Sequence, residues 1–224
     1  MGSEDLFHKK RERKSSDFKR KTSSTSNPVK QIQTRVLIVC EDSKSSVFYL
    51  EAIKKDFDLK ALVIRGKECG SAPSSILAYA EKVFSESKNE PYDRIYCVFD
   101  RDIHDCYEAS VSKINHLQAL KKPFFAITTT PCFEFWLLLH FQFTSKSYSA
   151  TQNKSSCDIA NVDLKAEWAH YGKTKRDIYA HVRERTADAI ANAKQLVTHN
   201  INSASTNPQT NMHELIEYLQ SIKR

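Results

Sequence analysis

The sequence predicts an α/β protein whose mostly parallel, four-stranded sheet is flanked by helices and followed by a helical C-terminal part. Short apolar runs rich in β-branched and aromatic residues alternate with longer segments whose apolar residues recur at helical spacing. The short runs are apolar throughout, which is typical of strands buried on both faces of a parallel sheet. Strands joined by helices form right-handed crossovers, so the alternation predicts parallel strands with helices on both faces.

Four apolar runs predict the strands: "RVLIVC" (35–40), "ALVIRG" (61–66), "RIYCVF" (94–99) and "PFFAIT" (123–128). The segments between them predict helices, and the heavily apolar "PCFEFWLLLHF" at 131–141 predicts a buried helix after the last strand. Near the end of the chain, Asn211 is the predicted N-cap of a final helix, and Glu214 completes a variant of the capping box.

The chain is predicted to have three parts. Residues 1–33 form a disordered basic arm, and residues 34–143 form the α/β domain. Residues 144–224 hold a polar insert and C-terminal helices that pack on the same domain. The Ser- and Asn-rich stretch at 144–163 predicts a loop or insert, whereas residues 174–201 predict a long helix with one break.

Most of the positive charge lies in the N-terminal arm. The formal net charge is +7, and residues 1–30 hold nine Lys or Arg residues against four acids, which is +5 of that total. A basic arm of this kind can contact the phosphates of a nucleic acid. The alternative is a solubilising tail without a specific partner.

Composition also limits where the protein works and what it binds. No apolar run reaches the length of a transmembrane helix, and the N-terminus lacks the apolar core of a secretory signal. We therefore expect a cytoplasmic protein that does not enter a membrane. The six cysteines are scattered without a CxxC pair, so a zinc site is not expected. We expect reduced thiols in or near the core, because a chain of this size does not need disulfides to fold.

The stretch "CVFDRDIHD" at 97–105 places acids at the end of the third predicted strand. Alternate side chains of an extended chain point the same way, so Asp100 and Asp102 can reach one ion. Glu41 follows the first strand, and the carboxyl ends of parallel strands meet at one edge of the sheet. Carboxylates that converge in this way bind a hard divalent cation, Mg²⁺ or Mn²⁺. The alternative is a solvated turn whose acids cap the next helix.

A cation at this edge would suit phosphodiester chemistry. It polarises the phosphodiester and stabilises the attacking and leaving oxygens, and Glu41 is then a further ligand or the general acid–base. Glu134 lies in the apolar segment after the fourth strand, where a charge is costly unless it is paired or bound to a metal. It is predicted either to join the catalytic carboxylates or to cap its helix.

Four further side chains near these strand ends are candidates for contacting substrate. Lys44 lies at the start of a helix, where backbone amides attract anions. Arg101 is expected to pair with an acid or contact a phosphate, and His104 to contact a phosphate or orient an acid. His140 faces either the same cleft or the core. A basic cluster at 173–176 would add non-specific phosphate contacts, with a solvated helix start as the alternative.

These motifs resemble those of known families. An acid that closes the first strand ("VCE", 39–41) and a DxD that closes a later strand ("FDRD", 99–102) resemble a Toprim domain. Together, "VLIVCED", "IYCVFDRDIH" and "PCFEFWLLLHF" resemble the RloB family, also seen as AbiLii-like abortive-infection proteins. "NPQTNMHELIEYL" (207–219) resembles the C-terminal segment of that family. The resemblance covers roughly residues 35–220.

The resemblance implies a Toprim-type, Rossmann-like fold and Mg²⁺-dependent cleavage of nucleic acid. It also implies a place in bacterial anti-phage defence or a restriction-associated locus, usually beside an ATPase partner of the AAA or ABC type. Carried over by position, Glu41 is the general acid–base, and Asp100 and Asp102 hold the metal. The sequence departs from the Toprim pattern at Asp42, where Gly often follows the first acid.

The leading hypothesis is therefore a Toprim-like, Mg²⁺-dependent nuclease subunit in which water attacks a phosphodiester. The alternative is a non-catalytic module that binds nucleic acid or an ATPase partner, and a third hypothesis is nucleotidyl transfer by the same acids. The Walker A pattern GxxxxGK[ST] is absent from the sequence, so ATP hydrolysis by this chain is not expected. DNA and RNA both stay open as targets, as does a homo-oligomer.

Overall fold

The chain forms five strands in the computed structural model, which describes residues 34–66, 69–101 and 104–223. The strands are β1 (Val36–Cys40), β2 (Leu62–Arg65), β3 (Arg94–Asp100), β4 (Phe124–Thr130) and β5 (Gln209–Thr210). The predicted basic arm at residues 1–33 and the predicted ligand Asp102 lie outside the described residues.

The strands form one sheet in the order β2-β1-β3-β4-β5, with β1 to β4 parallel and β5 antiparallel to β4. The predicted α/β architecture with a mostly parallel sheet is confirmed. The predicted count of four strands is one short, because a two-residue strand carries no readable hydrophobic pattern. β1 and β3 are neighbours, with Cys40 opposite Val98, so their carboxyl ends lie side by side.

Eight α-helices connect and cover the sheet within the described residues. They are α1 (Ser45–Asp56), α2 (Pro73–Glu86), α3 (Tyr107–Ala119), α4 (Phe133–Leu138), α5 (Ser156–Glu167), α6 (Ile178–Val182), α7 (Thr186–Ser203) and α8 (Met212–Ser221). Alternate residues of β1 face two separate cores. Leu37 and Val39 pack with α2 and α3, whereas Val36, Ile38 and Cys40 pack with α1, α4 and the C-terminal helices. Helices therefore flank both faces, as the crossover pattern predicts.

The heavily buried helix predicted at 131–141 is confirmed as α4, although only residues 133–138 are helical. All six residues of α4 are buried, including the charged Glu134. A helix that is apolar on every side has no face for solvent, so it packs between other elements. Even this helix is far too short for a bilayer. Within the described residues, no helix has the length and hydropathy that a membrane crossing requires.

The stretch predicted as a loop at 144–163 contains the start of α5. The hydroxyl of Ser155 accepts the backbone N–H of Asp158 at 3.1 Å, and the Asp158 carboxylate accepts the N–H of Ser155 at 3.0 Å. This capping box follows an S-x-x-D pattern that is present in the sequence, so the loop prediction is wrong there. The predicted break in 174–201 is found at 183–185, a 3-10 turn between α6 and α7.

The side chain of Asn211 links the start of α8 to the edge of the sheet through hydrogen bonds to β4. Its Oδ1 accepts the N–H of Thr128 at 2.7 Å, and its Nδ2 donates to the carbonyl of Ala126 at 2.9 Å. Asn211 is the N-cap residue of α8, as predicted, but its side chain makes no capping hydrogen bond, so the predicted capping box with Glu214 is wrong. These β4 backbone groups lie beyond the short span of β5, and their demand for hydrogen bonds outweighs helix capping.

Gly66 follows β2 at a point where two backbone segments meet closely. A Cβ here would lie 2.6 Å from the carbonyl oxygen of Asp42 and 2.8 Å from Cγ2 of Val47. Gly66→Ala is expected to lower the free energy of unfolding by about 1–3 kcal/mol, because the backbone of Asp42 must move. Urea unfolding followed by circular dichroism measures the change. Gly172→Ala is the control, since its Cβ would meet only Cγ of Lys175 at 4.0 Å. An equal loss in both variants would contradict the explanation.

Candidate functional site

Glu41 and Asp100 lie side by side at the carboxyl edge of the sheet. Glu41 directly follows β1, and its backbone N–H donates to the carbonyl of Val98 at 2.9 Å, which extends the pairing with β3 by one residue. Its side-chain Oε2 accepts the backbone N–H of Asp100 at 2.8 Å. The parallel order thus brings together two acids that are 59 residues apart in the sequence.

The surroundings of Asp100 disfavour its negative charge. Burial, followed by the charges of Glu41 and then Glu134, raises the pKa of the Asp100 carboxyl well above its usual value. The backbone N–H of Phe133 donates to this carboxylate and lowers its pKa in opposition. A cation within reach would remove the repulsion between the acids, so the arrangement favours a positively charged ligand.

A cleft of about 220 Å³ opens beside these acids. Glu41, Asp42 and Asp100 line it from the strand ends. Lys173, from the segment between α5 and α6, lines the same cleft. Acidic and basic side chains from distant parts of the sequence therefore share a small space.

Asp42 stands where Toprim-like sequences often carry Gly, and its carboxylate serves the helix that follows. Oδ2 accepts the hydroxyl of Ser45 at 2.8 Å and the backbone N–H of Ser46 at 3.1 Å, while Oδ1 accepts the hydroxyl of Ser46. An acid at this end satisfies donors that the helix leaves unpaired and suits the positive end of the helix dipole. The carboxylate of Asp42 thus stabilises the start of α1. It does not prevent the Glu41 side chain from reaching the end of β3.

Three of the four predicted substrate contacts lie near the strand ends. Nε2 of His104 is 4.0 Å from Oε1 of Glu41. Arg101 forms an ion pair with Glu108 at 3.0 Å, which is one of the two arrangements that the sequence predicts for it. Lys44 is exposed at the N-cap position of α1.

His140, the fourth, lies in the core. The residue is 1% exposed, its Nδ1 donates to the carbonyl of Trp136 at 3.1 Å, and its Nε2 is 3.3 Å from the hydroxyl of Tyr49. Burial lowers the pKa of His140 to about 4. The structure does not bring His140 to the cleft, and its position matches the predicted alternative of a core histidine.

Glu134 is 1% exposed and adjoins the cleft through Lys173. The hydroxyl of Tyr171 donates to its Oε1 at 2.9 Å, and the hydroxyl oxygen of Ser45, which donates to Asp42, lies 3.4 Å from the same atom. Nζ of Lys173 lies 3.3 Å from the same oxygen. Glu134 was predicted to be either a ligand or a helix cap. Neither prediction identifies Tyr171 or Lys173 as its partner. A buried acid signals that a counter-charge is needed, but sequence spacing does not say which residue supplies it.

Cys132 and Cys157 form a disulfide in the wall of the same cleft. They are 25 residues apart in the sequence, and their Cα atoms lie 5.6 Å apart. The expectation that all cysteines are reduced thiols is wrong for this pair. No CxxC spacing marks it, because packing of α5 against α4 is what brings the two residues together.

The disulfide also bears on metal binding. Among the described residues, Cys132, Glu134 and Cys157 hold their ligand atoms within 4.8 Å of one another. The thiolate is the form of cysteine that binds a metal, and the disulfide leaves neither sulfur in that form. Nζ of Lys173 lies 3.9 Å from the sulfur of Cys157, so a cationic group already occupies this corner. The carboxylates at the strand ends are therefore the better candidates for holding a metal ion.

The fold and this cleft define an α/β protein with paired acids at the carboxyl ends of neighbouring parallel strands. A family model described as RloB-like protein matches residues 36–219, a span that contains all the site residues described above. The chain belongs to the RloB-like family. Comparisons with curated proteins and with solved structures found no match.

Removal of the disulfide is expected to lower stability. Cys157→Ser opens a link that spans 25 residues, and the unfolded chain gains freedom worth about 3 kcal/mol. Urea unfolding without reductant measures the loss. Cys106→Ser, which changes a thiol outside the disulfide, is the control. Reductant should bring the wild type to the stability of Cys157→Ser, and a difference that persists in reductant would contradict the assignment.

His140 is expected to make stability fall in mild acid. Its folded-state pKa of about 4 lies below its ordinary value of 6.5, so the unfolded state binds the proton more readily between these values. Stability therefore declines as the pH falls from about 6.5 towards 4, by about 3 kcal/mol in total.

His140→Asn tests this source of the acid sensitivity. The Asn amide can donate to the carbonyl of Trp136 but does not titrate, so the variant should be less stable at neutral pH and show a shallower decline in acid. Urea unfolding between about pH 4 and 7.5 measures both quantities. His199→Asn, an exposed site on α7, should keep the wild-type decline. A wild-type decline in His140→Asn would refute the explanation.

Proposed function

We propose that this chain is the Mg²⁺-dependent nuclease subunit of an RloB-like system and that it hydrolyses phosphodiester bonds. The observation that carries the proposal is the pairing of Glu41 and Asp100 at the ends of adjacent parallel strands, in a cleft of about 220 Å³. Mn²⁺ suits the same oxygen donors and is the expected substitute for Mg²⁺.

The acids of the cleft fit a hard divalent cation. Mg²⁺ binds through one or two carboxylates together with water and substrate phosphate, and Glu41 and Asp100 offer such oxygens from neighbouring strands. Burial, and after it the charges of Glu41 and Glu134, raise the pKa of Asp100, and a cation beside it would favour its charged form. Asp102 stays a proposed ligand on the ground of its DxD pattern. When bound, the cation would polarise the phosphodiester and neutralise charge on the leaving oxygen.

Glu41 is the proposed general base. Its Oε2 accepts the Asp100 N–H, while Oε1 lies on the side of His104, 4.0 Å from Nε2. A water molecule on that side would give its proton to Oε1 as it attacks phosphorus. His104 would hold this carboxylate in place or contact the phosphate. Lys44 and Arg101 are proposed to contact the phosphates on either side.

The Toprim-type classification and the biological setting belong to the same proposal. Four parallel strands with one acid after β1 and another at the end of β3 support the Toprim-type fold. The motif resemblance supports a cytoplasmic role in bacterial anti-phage defence or a restriction-associated system, beside an AAA- or ABC-type ATPase. DNA and RNA both carry the phosphodiester that such a site cleaves.

Glu41→Gln and Asp100→Asn are each expected to lower metal-dependent cleavage by at least about 10²-fold, because each removes a carboxylate that holds the cation or accepts the proton. The full chain is incubated with single- and double-stranded DNA, plasmid and tRNA in Mg²⁺, Mn²⁺ or EDTA, and the products are separated on denaturing gels. Calorimetric titration with Mn²⁺ measures the cation separately. It should show binding to the wild type and none to Asp100→Asn.

Asp105→Asn is the matched control, because it neutralises an exposed acid near Asp100 that does not line the cleft. It should cleave like the wild type. Equal cleavage by the wild type and all variants would indicate a contaminating nuclease. A wild type that binds no divalent cation would contradict the proposal, and cation and nucleic-acid binding without cleavage would favour the non-catalytic module.

A further inference from the structure

We infer that Lys173 contacts the phosphate group that is cleaved and that Glu134 positions this lysine. The inference rests on the proposed nuclease function and adds to it a cationic group supplied by the chain itself. It also gives Glu134 a role other than the two that the sequence predicts.

Lys173 borders the same cleft as the paired acids. Its side chain is 52% exposed, and it lines the cleft together with Glu41 and Asp100. A phosphate that reaches these two acids must enter this cleft of about 220 Å³. Because the cleft is small, a phosphate in it lies within reach of the ammonium group. Lys173 comes from the segment between α5 and α6, so it approaches the phosphate from a different element than the strand ends.

Glu134 holds Lys173 through a contact that the surrounding fold fixes. The Glu134 side chain is 2% exposed, and its Oε1 lies 3.3 Å from Nζ of Lys173. The same oxygen accepts the hydroxyl of Tyr171 at 2.9 Å. All six residues of α4 are buried, so the surrounding fold shields this carboxylate from solvent. A buried carboxylate retains a strong attraction for its counter-charge, which keeps the ammonium group at the cleft.

Lys173 and Glu134 differ in exposure, and this difference indicates that the lysine does more than neutralise the glutamate. About half of the Lys173 side chain is exposed beside the acids, although its partner Glu134 is buried, so the ammonium group stays accessible to a ligand in the cleft. An ammonium group held at one side by a fixed carboxylate can donate its remaining hydrogens to a non-bridging phosphate oxygen. Such a donor stabilises the negative charge that grows as the phosphodiester is attacked. Contacts of this kind read the backbone and not the bases, so the substrate class is a nucleic-acid backbone of any sequence.

The test compares the wild type with Lys173→Met, Lys173→Arg and Glu134→Gln. A labelled oligonucleotide of about 20 nucleotides, offered as both DNA and RNA in Mn²⁺, gives kcat and KM. Lys173→Met should lower kcat by at least about 10²-fold, while Lys173→Arg should keep more of it because the charge remains. Glu134→Gln should lower kcat less than Lys173→Met, since it loosens the lysine without removing it. Lys165→Met, which removes a charge from the exposed side of α5, should match the wild type.

A double variant separates substrate contact from structural pairing. Lys173→Met alone leaves Glu134 buried without its counter-charge, which by itself destabilises a protein. Lys173→Met combined with Glu134→Gln removes both charges and relieves that penalty. If the lysine only neutralises Glu134, the double variant should regain the kcat of Glu134→Gln, and the inference fails. If the lysine contacts the phosphate, the double variant should stay as slow as Lys173→Met.

Two binding measurements distinguish failure of this inference from failure of the nuclease proposal. Titration with Mn²⁺ reports on Glu41 and Asp100 and should be unchanged in Lys173→Met. Fluorescence anisotropy of the same oligonucleotide in EDTA, repeated across salt concentrations, should show a slope smaller by about one for Lys173→Met. The salt dependence of binding tests whether Lys173 contacts a phosphate even if the wild type binds the oligonucleotide without cleaving it.

Wild-type kcat and wild-type salt slope in Lys173→Met would overturn the inference and leave the nuclease proposal standing. A wild type that binds neither Mn²⁺ nor the oligonucleotide would overturn both.

Discussion

The adjacency of β1 and β3 is the constraint on which the candidate site depends. Neighbouring strands lie about 4.8 Å apart, so one intervening strand would double the separation of the acids that follow them. Because the two strands are neighbours, the Glu41 carboxylate reaches the end of β3 and accepts the Asp100 N–H at 2.8 Å. The strand order, set by the two helical crossovers, is therefore what turns two distant acids into one site. Local sequence around either acid does not contain this information.

The carboxylates around the cleft differ in how the protein compensates their charge. Asp42 is held by the start of α1, through Ser45 and Ser46. Glu134 has the ammonium group of Lys173 and the hydroxyl of Tyr171. Asp100 faces two other carboxylates, and burial is the largest contribution to its raised pKa. The protein thus compensates two of these charges with several side-chain groups, whereas Asp100 has the backbone N–H of Phe133 and still keeps a raised pKa, a setting that suits an external cation. This division separates acids with a structural use from an acid suited to a ligand.

Sequence reasoning located the four parallel strands and the edge at which acids gather, because both rest on strong local signals. Continuous apolar runs end at Glu41 and Asp100, and the structure places these two residues together. Features that depend on tertiary packing were not predictable in this way. The 3.3 Å contact between Glu134 and Lys173 and the Cys132–Cys157 disulfide both need α5 and its following segment to fold back on α4. The missed start of α5 is different in kind, since its S-x-x-D signal was present and was outweighed by the polar composition around it.

The outer edge of β4 has a consequence for how the protein is made. Thr129 and Thr210, which bond across the β4–β5 pair, are 81 residues apart. During synthesis at about 5–20 residues per second, that edge stays uncovered for roughly 4–16 s after β4 emerges. An uncovered strand edge is a template for pairing with another chain. Pairing with β5 therefore covers the exposed edge of β4, and a chain that lacks β5 and α8 would have a sheet that is prone to self-association.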